Sequence, residues 1–199
     1  MTLKTADNLH PTSLSDLTSP EHLPENNDAE FLTQLLIEEL WDAIRSQTWH
    51  VKGVATRIAR EVERICRKSS RIQSSGEIRS WQISLGRHRL QKCLSYYHLG
   101  SKQGRLELHS NLSAMVYRYV APPQSQLGFQ GRSTLIEDFL QEFYAESLKA
   151  FRRENELSLD YTPRTHLELA EYMAFTEHYA KRRITLPRGN SQQLIVLRA

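Results

Sequence analysis

The chain has 199 residues, 39% of them hydrophobic and 25% charged, and a formal net charge of +3. This length supplies enough apolar surface for one core or two small ones. No run reaches the roughly 20 apolar residues of a membrane helix, and the N-terminus lacks a secretory signal pattern. These features exclude a membrane partner and lead us to expect a cytoplasmic protein. Cys66 and Cys93 are the only cysteines, which predicts two small buried side chains in a reducing compartment.

The charges are strongly segregated along the chain. Residues 1–47 have a net charge of −7, residues 48–132 of +11, and residues 133–199 of −1. A basic excess of this density is expected where a protein neutralises phosphates. The middle segment therefore indicates a nucleic-acid partner.

In chain order, residues 1–27 contain three prolines and few large apolar side chains, a composition that predicts a disordered arm. We expect a helical domain over 28–199. Its first helix is acidic, and its apolar residues recur at helical spacing from Phe31 to Ile44. The second helix is amphipathic and rich in arginine, and glycine after two serines closes it near residue 76. Its basic face is either solvated or bound to phosphate.

Residues 77–98 contain a break at Ser84, Leu85 and Gly86, which is the spacing of a helix-turn-helix. The second helix would then begin at Arg87 and present its first turns to the major groove. A simple internal bend is the alternative interpretation. The predicted DNA-binding residues are those of both basic helices: Arg57, Arg60, Arg64, Arg67, Lys68, Arg71, Arg87, His88, Arg89 and Lys92.

Three further helices complete an all-α, multi-helix bundle. One covers about 106–120 and ends at two prolines. The next covers 134–155, begins with a Thr134–Glu137 capping box and carries a wide apolar face. The last begins with a Thr165–Glu168 capping box and continues to residue 184. The chain stops on an apolar run, QQLIVLRA, which we interpret as a shortened form of a longer polypeptide.

The sequence shows no catalytic signature. Its eight histidines are spread singly, and it has neither a phosphate-binding glycine loop nor a nucleophile elbow. We therefore expect a protein that is not an enzyme, with no cofactor and no metal site. An enzyme would require a cofactor or metal to co-purify.

Two segments, LSAMVYRYV at 112–120 and LIEDFLQEFYAESLKAFRR at 135–153, resemble the start of region 2 of sigma-70-type factors. The second of these helices meets the core RNA polymerase in that family. The resemblance implies a partner-binding surface at Asp138, Gln141 and Glu142. The promoter-melting pattern of the family is missing from the segment that follows.

A wider resemblance covers nearly everything after residue 30. The segments GRHRLQKCLSYYHLGSKQGRLELHSNLSAMVYRYV, QGRSTLIEDFLQEFYAESLKAFRREN and PRTHLELAEYMAFTEHYAKRRI are similar to HetZ and HetZ-related proteins of cyanobacteria. The resemblance implies a DNA-binding regulator of heterocyst differentiation that acts in one circuit with HetR. Double-stranded DNA is then the expected partner, with a HetR-type regulator or RNA polymerase as protein partners. The sequence leaves open whether the protein forms a homo-oligomer.

Two hypotheses of different classes follow. In the first, the chain is a DNA-binding transcription regulator whose basic middle segment holds phosphates. In the second, it is a protein-interaction module that docks on RNA polymerase or a partner regulator without reading DNA. Affinity for duplex DNA at two salt concentrations, measured without any partner, distinguishes the two.

Overall fold

A computed structural model describes residues 26–45, 49–119 and 128–181 of the chain. These ranges form six α-helices and contain no strand, which confirms the all-α prediction. The helices are α1 (Asn26–Ile44), α2 (Trp49–Lys68), α3 (Ser70–Ser75), α4 (Ile78–Tyr119), α5 (Phe129–Glu154) and α6 (His166–Ala180). None of them is long and apolar enough to cross a membrane.

Helices α1 and α2 pack together through the apolar stripes that their sequences predict. Leu32, Leu36 and Leu40 of α1 are buried, and α2 buries residues at matching three- and four-residue steps, from Val51 through Ile58 to Val62. Cys66 at the end of α2 and Cys93 in α4 are both buried and free, as predicted. The basic side chains of α2 therefore lie on its remaining faces.

The predicted turn at Ser84, Leu85 and Gly86 is wrong, and with it the predicted helix-turn-helix. These residues lie inside α4, which is helical on both sides of them. Gly86 is buried, and a Cβ added there would lie 3.0 Å from Leu32 Cδ1 of α1. The glycine thus permits close packing of α1 on α4 and does not interrupt the helix.

The break in α4 lies at Gly100 instead, where φ is 77° and ψ is 163°. This region of backbone space is essentially restricted to glycine. Both halves of α4 pack on α6. Tyr96, before the break, contacts Glu177, and Gly104, after it, is so close to Met173 that an added Cβ would lie 2.9 Å from Met173 Cε.

Helix α5 begins one and a half turns earlier than its sequence predicts. It starts at Phe129 after Gly128, so Thr134 is an internal residue whose hydroxyl donates to the Gln130 carbonyl. The predicted Thr134–Glu137 capping box is therefore wrong. The predicted apolar face is largely confirmed, because Phe139 and Phe143 are among the buried residues of this helix.

Helix α6 packs against α2, α4 and α5, most extensively against α4. The predicted capping box is confirmed: the Thr165 hydroxyl accepts from the Glu168 N–H, and the Glu168 carboxylate accepts from the Thr165 N–H. Buried residues occur all around this helix and include Glu168, Glu171 and Glu177. The predicted extension of the helix to residue 184 and most of the predicted arm lie outside the described residues.

We predict that Gly100→Ala lowers the free energy of unfolding by about 1–3 kcal/mol, because a Cβ strains this backbone conformation. Urea denaturation followed by circular dichroism measures the change. Gly76, the C-cap of α3, has φ 70° and ψ −1°, a left-handed conformation that asparagine tolerates. Gly76→Asn is therefore a matched control that should cost well under 1 kcal/mol. Equal costs for the two variants would contradict a strained break at Gly100.

Candidate nucleic-acid interface

The ten predicted DNA-binding residues do not form one surface, because folding divides them into two groups. Four have side chains that are at most one third exposed and lie between helices: Arg57, Arg64, Arg89 and Lys92. The other six are exposed: Arg60, Arg67, Lys68, Arg71, Arg87 and His88. Whether either group contacts DNA stays a prediction.

Arg57 of α2 forms a two-pronged ion pair with Glu171 of α6. Its Nε donates to Oε1 at 2.8 Å and its Nη2 to Oε2 at 2.6 Å. The side chains are 13% and 6% exposed. Burial raises the pKa of Glu171 to about 7, against the opposing effect of Arg57. The planar guanidinium matches the two carboxylate oxygens, so this pair fixes how α2 lies on α6.

The other three inward cations also bind carboxylates. Lys92 Nζ lies 2.9 Å from Glu177 Oε2, which also accepts a hydrogen bond from the buried Tyr96 hydroxyl. Arg64 pairs with Glu154 at the end of α5. Arg89 Nη2 lies 3.5 Å from Glu61 Oε1 of α2. These cations thus connect α2 and α4 to their neighbours and are engaged within the fold.

Three of the exposed cations have surface partners. Arg87 Nε lies 2.7 Å from Glu39 Oε1 of α1, Arg60 Nη1 lies 3.6 Å from Glu156 Oε2, and Arg67 pairs with Glu63 one turn earlier. Exposed ion pairs of this kind contribute about 0–1 kcal/mol each. They can therefore exchange their partner for a phosphate at little cost.

Folding places several basic side chains of the middle segment next to acids of the two flanking segments. Five basic side chains of residues 48–132 pair with acids of the flanking segments: Arg57 with Glu171, Arg60 with Glu156, Arg64 with Glu154, Arg87 with Glu39, and Lys92 with Glu177. The excess of +11 therefore overstates the positive charge that is available to a partner.

Three further exposed cations lie where α2, α3 and the start of α4 meet. Lys68 ends α2, Arg71 lies in α3, and Arg79 lies in the first turn of α4. Within the described ranges none of the three has a carboxylate partner. We call these three residues, with the neighbouring Arg67, the basic corner. Glu77 is an exposed acid at the same place.

Two aromatic rings lie among the cations of the basic corner. The Arg71 guanidinium is 5.8 Å from the centre of the Trp81 ring, and that of Arg79 is 4.0 Å from the Phe31 ring. Phe31 is 38% exposed. Sequence reasoning missed Arg79, Trp81 and Phe31. Arg79 and Trp81 follow the basic helix directly and could have been included, but nothing in the sequence indicates that Phe31 lies beside Arg79.

The predicted partner-binding residues lie along α5. Asp138 and Gln141 are exposed, whereas Glu142 is half-buried. The same helix buries Phe139, Leu140 and Phe143 against the core. One face of α5 therefore packs into the core, and another presents acidic and polar side chains to solvent.

We predict that at pH 8, where the Glu171 carboxylate is ionised, Glu171→Gln lowers the free energy of unfolding by about 3–5 kcal/mol, because the Arg57 charge would remain buried without its counterion. Replacing both residues by methionine should recover most of the loss, since an apolar pair of similar volume has no charge to desolvate. Urea denaturation measures both variants and the control that follows. Glu146→Gln, which removes the surface pair with Lys149, should cost less than about 1 kcal/mol. A loss at Glu171 no larger than at Glu146 would refute the importance of the buried pair.

His178 of α6 makes stability depend on pH. Burial lowers the pKa of His178 to about 3, and the charges of Arg89 and Lys181 add to the effect. The unfolded chain takes up this proton near the ordinary value of 6.5, so the stability from neutral His178 is lost as pH falls from 6.5 toward 3. Glu171 has the opposite sign: its raised pKa makes stability decrease as pH rises from 4.5 to about 7.

We therefore predict that His178→Gln changes the slope of unfolding free energy against pH. The unfolding free energy of the wild type minus that of the variant should fall steadily as pH decreases from 6.5 to 4.5. Only the wild type has to keep this imidazole neutral in the folded state. Denaturant titrations across that range measure the slopes. His98→Gln, at an exposed position of α4, is the control and should run parallel to the wild type. Parallel curves for His178→Gln would contradict the assignment.

Comparisons with known proteins place this fold in a family. A family model described as "Heterocyst differentiation protein HetZ-like" matches residues 32–199. No curated protein and no solved structure matches the chain, and nothing in these comparisons supports the similarity to sigma factors. The matched range includes all of α2 to α6 and all but the first residues of α1. The chain therefore belongs to the HetZ-like family of heterocyst differentiation proteins.

Proposed function

We propose that this HetZ-like protein is a DNA-binding transcription regulator, without enzymatic activity, that controls heterocyst differentiation from the cytoplasm. The observation that carries the proposal is the basic corner, where Lys68, Arg71 and Arg79 keep no carboxylate partner within the described ranges while most other cations of the segment are paired. Cations that are solvated and unpaired can neutralise phosphates without first breaking an interaction of the fold.

The local backbone and the aromatic rings also favour nucleic-acid binding at the basic corner. Helix α4 begins at Ile78, beside Arg79, and the first N–H groups of a helix carry partial positive charge that suits a phosphate. Phe31, which is 38% exposed, and the half-buried Trp81 lie beside these cations, and aromatic rings can stack on unstacked bases. Positive charge with interleaved aromatic rings is a common composition of nucleic-acid surfaces.

The structure changes which residues we expect to bind. Arg57, Arg64, Arg89 and Lys92 hold helices together, so their replacement would disturb folding and DNA binding at once. In the proposal Lys68, Arg71 and Arg79 hold phosphates, and Arg60, Arg67, Arg87 and His88 extend the surface along α2 and α4. Because the predicted helix-turn-helix is absent at 84–86, we assign no base-reading helix.

The test replaces Lys68, Arg71 and Arg79 together by glutamine. We expect affinity for a random-sequence duplex to fall at least ten-fold at low salt. The slope of log K against log salt should fall by up to about 2.7, which is about 0.9 for each phosphate contact that is lost. Fluorescence anisotropy with a labelled duplex at several salt concentrations measures both quantities.

The matched control is Arg45→Gln, Lys52→Gln and Arg164→Gln. These three cations are also exposed, and the triple variant changes the net charge equally at positions outside the basic corner. It should keep nearly all of the affinity. Equal losses in both triple variants would show that only net charge matters, and the assignment of the corner would then fail.

A second candidate function is a protein-interaction module, which the exposed Asp138 and Gln141 favour. In this case the acidic edge of α5 docks on RNA polymerase or a HetR-type regulator, and the cations meet an acidic surface of the partner. The same anisotropy experiment separates the two functions. Absence of duplex binding by the wild type at low salt would favour the module over the DNA-binding regulator.

A further inference from the structure

An apolar groove lies where α5 and the part of α4 after its break both pack on α6. Its apolar lining comes from all three helices: Leu106, Leu108, Tyr144, Leu169, Tyr172 and Met173. Leu106 is 56% exposed, whereas Leu108 and Met173 are buried and form the floor. None of the lining residues belongs to the basic corner. The groove is therefore a separate surface with an exposed apolar wall.

The groove is short, and its two walls meet at one end. On α4 the lining residues run from Lys102, two residues after the break at Gly100, to His109, which is about 10 Å along the helix axis. At His109 the Tyr144 hydroxyl lies 3.4 Å from Nδ1 and the two rings are stacked, so α4 and α5 touch there. The volume of about 620 Å³ falls within the roughly 300–1,000 Å³ of small-molecule sites. A helix of a partner protein would need a longer, open groove, so the dimensions favour a compact ligand.

The α4 side of the groove is positively charged. Lys102, Arg105 and His109 follow one another at steps of three and four and border the apolar lining. Neither Lys102 nor Arg105 has a carboxylate partner in the described part of the chain; the Arg105 Nε donates to the Ser101 carbonyl. No acid is among the described residues that line the groove, and the exposed Glu107 of this segment is not one of them. The lining thus combines an apolar floor with two available cations.

We propose that the groove binds a small organic acid with an apolar body, such as a medium-chain carboxylate. The apolar body covers Leu106 and lies on the floor formed by Leu108 and Met173. The carboxylate accepts hydrogen bonds from Lys102 or Arg105, and charge-assisted hydrogen bonds of this kind are stronger than neutral ones. Neither cation has to leave an ion pair of the fold to make them. The proposal does not depend on DNA binding at the basic corner.

Two other occupants fit these features less well. A second copy of the chain placed symmetrically on the groove would bring the cations Lys102 and Arg105 toward their own counterparts, which is unfavourable. Duplex DNA would satisfy the cations but would leave the exposed Leu106 facing phosphates. A small organic acid satisfies both the cations and the apolar lining.

The test titrates the isotope-labelled full chain with octanoate, and separately with octanol, whose apolar body is alike but uncharged. Chemical-shift changes measured by NMR should saturate with octanoate, with a dissociation constant on the order of 1 mM or lower. Lys102→Gln with Arg105→Gln should weaken octanoate binding about ten-fold and leave octanol binding nearly unchanged. The matched control, Lys52→Gln with Arg164→Gln, removes two exposed cations that do not line the groove and should keep the wild-type affinity for both ligands.

Leu106→Ser tests the apolar wall separately and should weaken the binding of both ligands, while circular dichroism checks that the helices persist. Absence of saturable shifts with octanoate at several millimolar would overturn the proposal. Equal losses of octanoate and octanol in the Lys102 and Arg105 variant would also overturn it, because the charge would then play no part. The same holds if that variant loses duplex affinity and keeps octanoate affinity, since the two cations would then form a phosphate surface.

Discussion

The structure depends on the burial of three carboxylates on one helix. Glu168, Glu171 and Glu177 of α6 are all buried, and an unpaired buried carboxylate costs several kcal/mol. The chain satisfies Glu168 locally, through the capping box. Glu171 and Glu177 need partners from elsewhere: Arg57 from α2, and Lys92 from α4. Only an assembly that brings α2 and α4 to α6 in this arrangement meets all three requirements.

The buried carboxylates of α6 also explain part of the charge pattern of the sequence. A basic middle segment between acidic flanks suggests a polyanionic partner, but here much of the positive charge is used to hold the flanking helices. Buried ion pairs add little net stability compared with apolar contacts. Their effect is to penalise every packing that separates the partners. The cations at the basic corner are among those that this arrangement leaves available.

The sequence predicts the helices well because their apolar residues recur every three or four positions, and it predicts the Thr165 cap because the signal is local. It fails where the deciding contact is distant. Gly86 and Gly100 look alike in the sequence, yet one permits close packing with Leu32 and the other supplies a backbone conformation that only glycine adopts. Arg57 and Glu171 are 114 residues apart, so their pairing has no local signature. The contact of Phe31 with Arg79 at the basic corner was missed for the same reason.

The break at Gly100 has a consequence for solubility. An unbroken helix of the 42 residues of α4 would be about 63 Å long, whereas a compact domain of this size is roughly 40 Å across. Without the break, one half of α4 would project into water with Leu108, Leu112 and Val116, which are now buried. Such a stripe at helical spacing would pair with the same stripe on other molecules. One glycine therefore helps to keep the protein from aggregating.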